Sequence, residues 1–528
     1  MISTLRDTFE PPDTSVRRWR RRRNRIALAA VGVLLVAAAG FAVYRLQRAC
    51  GTLDLWLDSD VVEVGGECVG VTDGTFVFDE AYTDVEGKIA AENNRVDEVT
   101  KSGDTSVRVV TVALFLPMTV DDETSPISKE EILHQMQGAY TAQLRVNGQV
   151  NNEKVSGDPT PLIRLVLANQ GILQEKWEPV VDQLVEMRDA QEAPLVGVIG
   201  LGVSIEATQN AARRLSESNI PMAATLATAD QLNYDVHPGF VRVTPSNRDQ
   251  TLALKAYLAQ KELKMAILVQ DGNPDLFVES TKENFNELLL DLFTKDLPPQ
   301  TFTGTPAGRL STVTATTFDL NVANICGAQP PPPVVLFAGR KTDLPSFLAS
   351  LEVRSCRDTP ITVVTVGSNS GVLDSGESAL QETALSEANI VVALAGVADP
   401  QRWEADIAGQ PAGFSKFRSS FLKDFASQDL ADGEAILTHD ALLTVARAIR
   451  LADTATPGES VPSSAEVSAQ MPNLNLQYSI PGAGGTLSYS TRGADETDTG
   501  NPCGKLIPML VRPSDPLPQP PVFITCES

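Results

Sequence analysis

Three glycines, Gly197, Gly200 and Gly202, follow an apolar run and precede a helix-compatible stretch, the setting in which a glycine-rich loop cradles a dinucleotide phosphate. Ile205 stands where the third glycine of GxGxxG belongs, and no acidic residue closes a second strand at the required distance. GxxxxGK[ST], HExxH and GxSxG are absent, so phosphate-cradle, zincin and hydrolase-elbow chemistries lack their minimal residues. The histidines are His134, His237 and His439, and no CxxC spacing occurs, so no clustered zinc ligand set exists. No catalytic constellation results: the expectation is a protein that is not an enzyme and uses neither metal nor cofactor. The chemistry that the residue types do support is recognition. Hydroxyls, small residues and carboxylates gather in turns that follow apolar runs: Leu201-Gly202-Val203-Ser204, Thr225-Leu226-Ala227-Thr228, Asp271-Gly272-Asn273-Pro274-Asp275-Leu276-Phe277 and Gly367-Ser368-Asn369. Each Ser, Thr or Asn could equally cap a helix, whereas four such turns at one end of parallel strands describe a cleft.

The elements that must position these turns alternate along the chain. VRVVTVALFLP, PLIRLVLANQG, PLVGVIGLG and IPMAATLAT read as buried strands, separated by helical stretches such as KEEILHQMQGAYTAQLRVN, WEPVVDQLVEMRDA and SIEATQNAARRLSESN. The same grammar resumes at KMAILVQDG, PPPVVLFAG, PITVVTVGS and ANIVVALAG. Short apolar runs between helices indicate parallel sheets covered on both faces, and the number of strands exceeds one compact sheet. An α/β chain of two lobes follows.

The 528 residues carry 43 Lys+Arg against 67 Asp+Glu, a net charge of −24, which argues against nucleic acid as a partner. The charge is uneven: residues 1–25 hold eight Arg against three acidic residues, +5, leaving −29 for the remainder. Residues 26–44 are uncharged and apolar, and as a helix they would be about 28 Å long, enough to span a bilayer. The basic flank keeps the tail cytoplasmic, in contact with anionic lipid, and places the bulk of the chain outside the cytoplasm. A signal peptide cleaved near Ala37, Ala38 and Ala39 is the competing reading. Cys50, Cys68, Cys326, Cys356, Cys503 and Cys526 then lie where disulfides persist. Neighbour pairing is the expectation among the 15 connectivities open to six cysteines.

The order strand-GLGVS-helix-IPMAATLAT, then FVRVTPSNRDQTLALKAYL, then KMAILVQDGNPDLF, resembles the type I periplasmic-binding-protein family, in particular the branched-chain amino-acid receptors of ABC transporters. ANIVVALAGVADP resembles that family's crossover strand returning to the first lobe, THDALLTVARAI its Tyr-Asp-Ala helix, and GTLSYSTRGADETDTGNPCGKLIPMLV its closing strand pair; together the matches cover 107–512. The resemblance implies two parallel-sheet lobes joined by three crossovers and closing on a small ligand. It implies that Ser204, Thr225 and Thr228 hold a ligand carboxylate, that Phe277 covers the ligand, and that Asp271 or Asp399 pairs with its ammonium, unless each is a structural cap. Leu276-Phe277 replaces the usual Tyr-Gly and His439 the usual Tyr, departures that bear on specificity more than on fold. His439 is expected at a helix start near the lobe surface.

The expected organisation is a basic tail (1–25), a transmembrane helix (26–44), a juxtamembrane stalk or cap (51–105), a first lobe (107–240 with 389–455), a second lobe (241–388 with 456–512) and a Pro-rich tail (513–528). The expected function is extracytoplasmic capture of a small polar ligand, an amino acid or derivative, for an ABC permease. The alternative is a membrane-anchored sensor or protein-interaction module that has kept the lobes without transport.

Overall fold

The computed structural model describes residues 50, 60–101, 107–121, 125, 127–150, 160–293, 296–306, 309, 311–367, 378–407, 409–455, 460–489, 500–513 and 523–526. The expected transmembrane span 26–44 and its basic flank lie outside these residues. Among the described residues, no helix is long and apolar enough to cross a membrane.

Two sheets organise the chain. The first contains β1 (Val62–Val64), β2 (Glu67–Thr72), β3 (Val109–Leu116), β4 (Leu162–Asn169), β5 (Leu195–Val203), β6 (Met222–Leu226) and β7 (Phe240–Arg242), in the order β1-β2-β4-β3-β5-β6-β7. From β4 to β7 all neighbours are parallel, and β2 pairs antiparallel at the edge. Side chains alternate along each strand, so both faces need cover. Val110, Val112, Leu114 and Leu116 of β3 pack with helices Lys129–Val146 and Glu434–Ala455. Ala113 and Phe115, on the opposite face, pack with helices Trp177–Arg188 and Glu206–Glu217.

The second sheet contains β8 (Ala266–Asp271), β9 (Gln300–Phe302), β10 (Val334–Ala338), β11 (Ile361–Val366) and β12 (Ile390–Ala395). A small separate sheet follows: β13 (Ile480–Gly482), β14 (Gly485–Ser488) and β15 (Cys503–Ile507), joined at its edge by β17 (Phe523–Ile524). Between them in sequence, β16 (Met509–Arg512) returns to the second sheet antiparallel to β12, giving the order β16-β12-β11-β10-β8-β9. Three disulfides join Cys50 to Cys68, Cys326 to Cys356 and Cys503 to Cys526.

The lobe boundaries differ from the sequence reading in three places. Residues 62–101 are built into the first lobe: β2 pairs with β4, and Asn93 of helix Thr83–Lys101 donates to Leu165 O and accepts from Leu165 N. β12 belongs to the second sheet, in register with β11 from Ile361↔Ile390 onward, and the chain returns to the first lobe only after it. Helix Ser464–Gln470 packs against the 434–455 helix and β5, inside the first lobe. A continuous apolar run satisfies any buried parallel position equally well, so its composition cannot say which sheet receives it.

The 129–146 and 434–455 helices cross so closely that a Cβ on Gly138 would overlap the backbone of Ala435. Near this crossing lies a fully buried polar cluster. Arg145 Nη1 is 2.6 Å from His439 Nε2, and His439 Nδ1 is 2.9 Å from Asp440 Oδ1. Arg145 can only donate, so Nδ1 carries the imidazole proton and gives it to the carboxylate. Asp440 also accepts from Ala483 N at 2.7 Å and Gly484 N at 2.9 Å, with Lys505 Nζ 3.9 Å away. His439 is therefore a core residue of a long helix rather than a surface residue at its start. Burial first, and Arg145 next, depress its pKa from 6.5 to about 4, despite the opposing Asp440 carboxylate.

Two outcomes follow. Gly138→Ala should lower unfolding stability by about 1–3 kcal/mol through overpacking, and an unchanged urea midpoint would contradict the crossing geometry. For His439 the unfolded chain binds a proton between about pH 6.5 and 4 while the folded chain does not, so its contribution is present above 6.5 and lost as pH falls through this window, on the order of 3 kcal/mol. Urea titrations of wild type and His439→Gln should converge by that amount on acidification; parallel pH profiles would refute it.

Candidate functional site

Parallel strands in each lobe end on the same side, where turns and helix starts leave polar groups free to meet a ligand. Between the lobes lies a cavity of about 60 Å³. Its first-lobe wall comes from the ends of β5 and β6, through Val203, Ser204, Leu226 and Thr228, and from Ile127 and Glu131 at the start of the 129–146 helix. The second lobe supplies Phe277 after β8, Arg340, Lys341 and Thr342 after β10, and Val366 and Gly367 at the end of β11. Arg309 completes the wall. At about 10–15 Å³ per water-sized site, the volume corresponds to roughly four to six waters.

The β5 turn explains the glycine spacing seen in the sequence. Gly200, Leu201 and Gly202 have φ of 98°, 70° and 83°, and the β5–β6 register breaks between Gly200 and Val203. A Cβ on Gly202 would collide with the Gln174 amide. The glycines permit a bulge that carries Val203 and Ser204 to the cavity.

Basic side chains connect the lobes. Lys341 Nζ lies 2.7 Å from Glu131 Oε1. Arg340 Nη2 donates to Ser204 O at 2.7 Å, while Nε and Nη2 hold Asp275 in a two-pronged pair at 2.9 and 3.0 Å. Its guanidinium lies 5.1 Å from the Phe277 ring centroid. Asp275 also caps helix Leu276–Leu288, accepting from Val278 N. At the rim Arg309 is 3.5 Å from Glu175.

Of the residues expected from the sequence, Ser204, Thr228 and Phe277 line this cavity. The Ser204 hydroxyl accepts from Ala229 N at 3.0 Å, whereas no hydrogen bond engages the Thr228 hydroxyl among the described residues. Thr225 is displaced from the wall: its hydroxyl donates to Gly200 O at 3.2 Å, as a link between neighbouring strands. Asp271 is a structural cap, accepting from Asn273 N and Gly304 N, and burial pushes its carboxyl up. Asp399 caps helix Pro400–Ala405 through Arg402 N and is likewise pushed up by burial. Neither carboxylate reaches the cavity, because each is needed where its own backbone turns. The sequence reading missed Glu131, Arg309 and the Arg340-Lys341-Thr342 turn. That last turn follows an apolar strand in the same way as the four turns that were noted, which is the signal that would have found it.

A cleft between two parallel-sheet lobes, with three chain crossings between them, defines the type I periplasmic-binding-protein fold. Solved structures share it at low sequence identity. An ABC transporter substrate-binding protein from Desulfitobacterium hafniense matches with a TM-score of 0.53 at 14% identity, covering 79% of this chain and 100% of its own. A branched-chain amino acid transporter substrate-binding protein from Streptococcus pneumoniae, in complex with isoleucine, has a TM-score of 0.52 at 14% identity and covers 79% and 99%. A solute-binding protein of an ABC transporter from Rhodopseudomonas palustris, in complex with 3,4-dihydroxybenzoic acid, has a TM-score of 0.52 at 13% identity and covers 79% and 97%. No protein-family profile and no curated protein sequence matches the chain.

A double-mutant cycle on Glu131→Gln and Lys341→Met should give a coupling energy of about 0.5–1 kcal/mol in urea unfolding, as expected of a half-buried pair. Additive effects would show that the pair does not hold the lobes together.

Proposed function

We propose that the chain is an extracytoplasmic solute-binding protein that captures a small polar ligand, an amino acid or derivative, between its lobes and delivers it to an ABC importer. The observation that carries this reading is the placement of the cavity. Its walls come from strand ends of both lobes, so a solute held there contacts both and favours the closed arrangement. Ser204 and Thr228 offer hydroxyls beside the β5 and β6 ends, and Phe277 offers an aromatic wall. The mechanism is binding and hinge closure, with no bond made or broken. The apolar stretch 26–44 would hold the protein at the membrane, its basic flank against anionic lipid.

One observation favours the second reading, a sensor or protein-interaction module. The Lys341–Glu131 and Arg340–Ser204 bonds link the lobes directly, side chain to side chain and side chain to backbone. Thermal-shift screening of the purified full chain against amino acids, short peptides, sugars and organic acids separates the two. A solute that binds the folded state raises the melting temperature, by the equivalent of about 2.7 kcal/mol at 100 times its Kd. Thr228→Val should then weaken that solute about tenfold or more while the free protein melts as before. If no solute stabilises the chain, the capture reading fails.

A further inference from the structure

We propose that the cleft takes a small carboxylic acid with an apolar body and no ammonium group, anchored by Arg340. This narrows the solute-capture reading and rests on it.

A zwitterionic amino acid needs a cation or hydroxyl for its carboxylate and an anion for its ammonium, because a desolvated charge without a partner is costly. The cavity wall provides only the first. Among the described residues, Glu131 is the sole acidic one on the lining, and Lys341 holds it at 2.7 Å. Asp275 is engaged by Arg340 and by its own helix start. Asp271 and Asp399 are turned into backbone caps away from the wall. Glu434 is wholly buried and off the lining, and burial, together with Asp432 and Glu131, pushes its carboxyl up. Among the described residues, no carboxylate beyond the Lys341-paired Glu131 lines the wall.

Donors, by contrast, remain. Arg340 uses Nε and Nη2 on Asp275 and Ser204 O, and its Nη1 makes no hydrogen bond among the described residues. Its guanidinium is fixed in the wall by the Phe277 ring and the Asp275 pair, so little side-chain freedom is lost when an anion arrives. The Thr228 hydroxyl is uncommitted on the facing lobe. Between them, Val203, Leu226, Phe277 and Val366 form an apolar lining for a hydrocarbon body. A cavity of about 60 Å³ suits the shorter acids.

The test compares pairs that differ only in the α-amino group: propanoate with alanine, 3-methylbutanoate with valine, 4-methylpentanoate with leucine. Calorimetric titration of the full chain should show the acid of at least one pair binding at least tenfold tighter than its amino counterpart. An amino acid binding as tightly as, or tighter than, its acid overturns this inference and leaves solute capture standing, as would a sugar as the sole ligand. Absence of any bound solute overturns both. Arg340→Lys retains the charge but loses the planar fork, and it should weaken the bound acid at least tenfold; undiminished affinity removes Arg340 as the anchor. The ligand pairs use the unaltered chain, so the inference stays testable if the variant misfolds.

Discussion

The buried carboxylate of Asp440 is the constraint from which the arrangement of the lobes follows. A carboxylate taken wholly out of water costs several kcal/mol unless donors surround it. Here one donor is the imidazole of the preceding residue, and the others come from farther along the chain: two backbone amides of the β13–β14 turn, with the Lys505 ammonium of β15 nearby. These partners hold Asp440 below the usual carboxylate range even though burial alone would raise it. The turn must be small to approach so closely, and a Cβ on Gly482 or Gly484 would run into Asp440 or Lys505. Fixing that hairpin on the 434–455 helix fixes β15, and from β15 the chain enters β16 of the second sheet. One charge cluster in the first lobe thus sets where a crossing to the second begins.

The cleft is a consequence of that geometry and of parallel sheets. All strands of a parallel sheet end on one side, so two such sheets joined by crossings present their polar turns to each other. Basic side chains of the second lobe bridge this cleft. Arg340 stacks on Phe277, grips Asp275 and reaches Ser204 O, and Lys341 meets Glu131. These contacts tie the two walls of the cleft directly to each other.

Much of the site was legible because local chemistry wrote it. Each of the four turns singled out by hydroxyls and small residues contributes to the wall, through Ser204, Thr228, Phe277 and Gly367. The failures share a cause: a side chain's type does not state which way it points. Thr225 lies one pleat away from the wall and bonds across the sheet, and Asp271 and Asp399 serve the turns on which they sit. Arg340 and Lys341 were passed over because, in a chain with so many charges, two more on a turn look like solvated surface.

By itself the sequence determined the alternation of buried strands and amphipathic helices, the two-lobed class and the turns that form a cleft, because periodicity and turn residues act over a few positions of chain. Neighbour pairing of the cysteines, one expectation among 15 connectivities, is the pairing that the structure holds. Only the tertiary structure decided that β12 joins the second sheet, that 62–101 completes the first lobe, that His439 is core, and that the cleft's carboxylates are already spoken for. Those outcomes depend on pairings between residues tens to hundreds of positions apart, such as Arg145 with His439 and Ser204 with Arg340, and no local pattern encodes a partner that folding alone brings near.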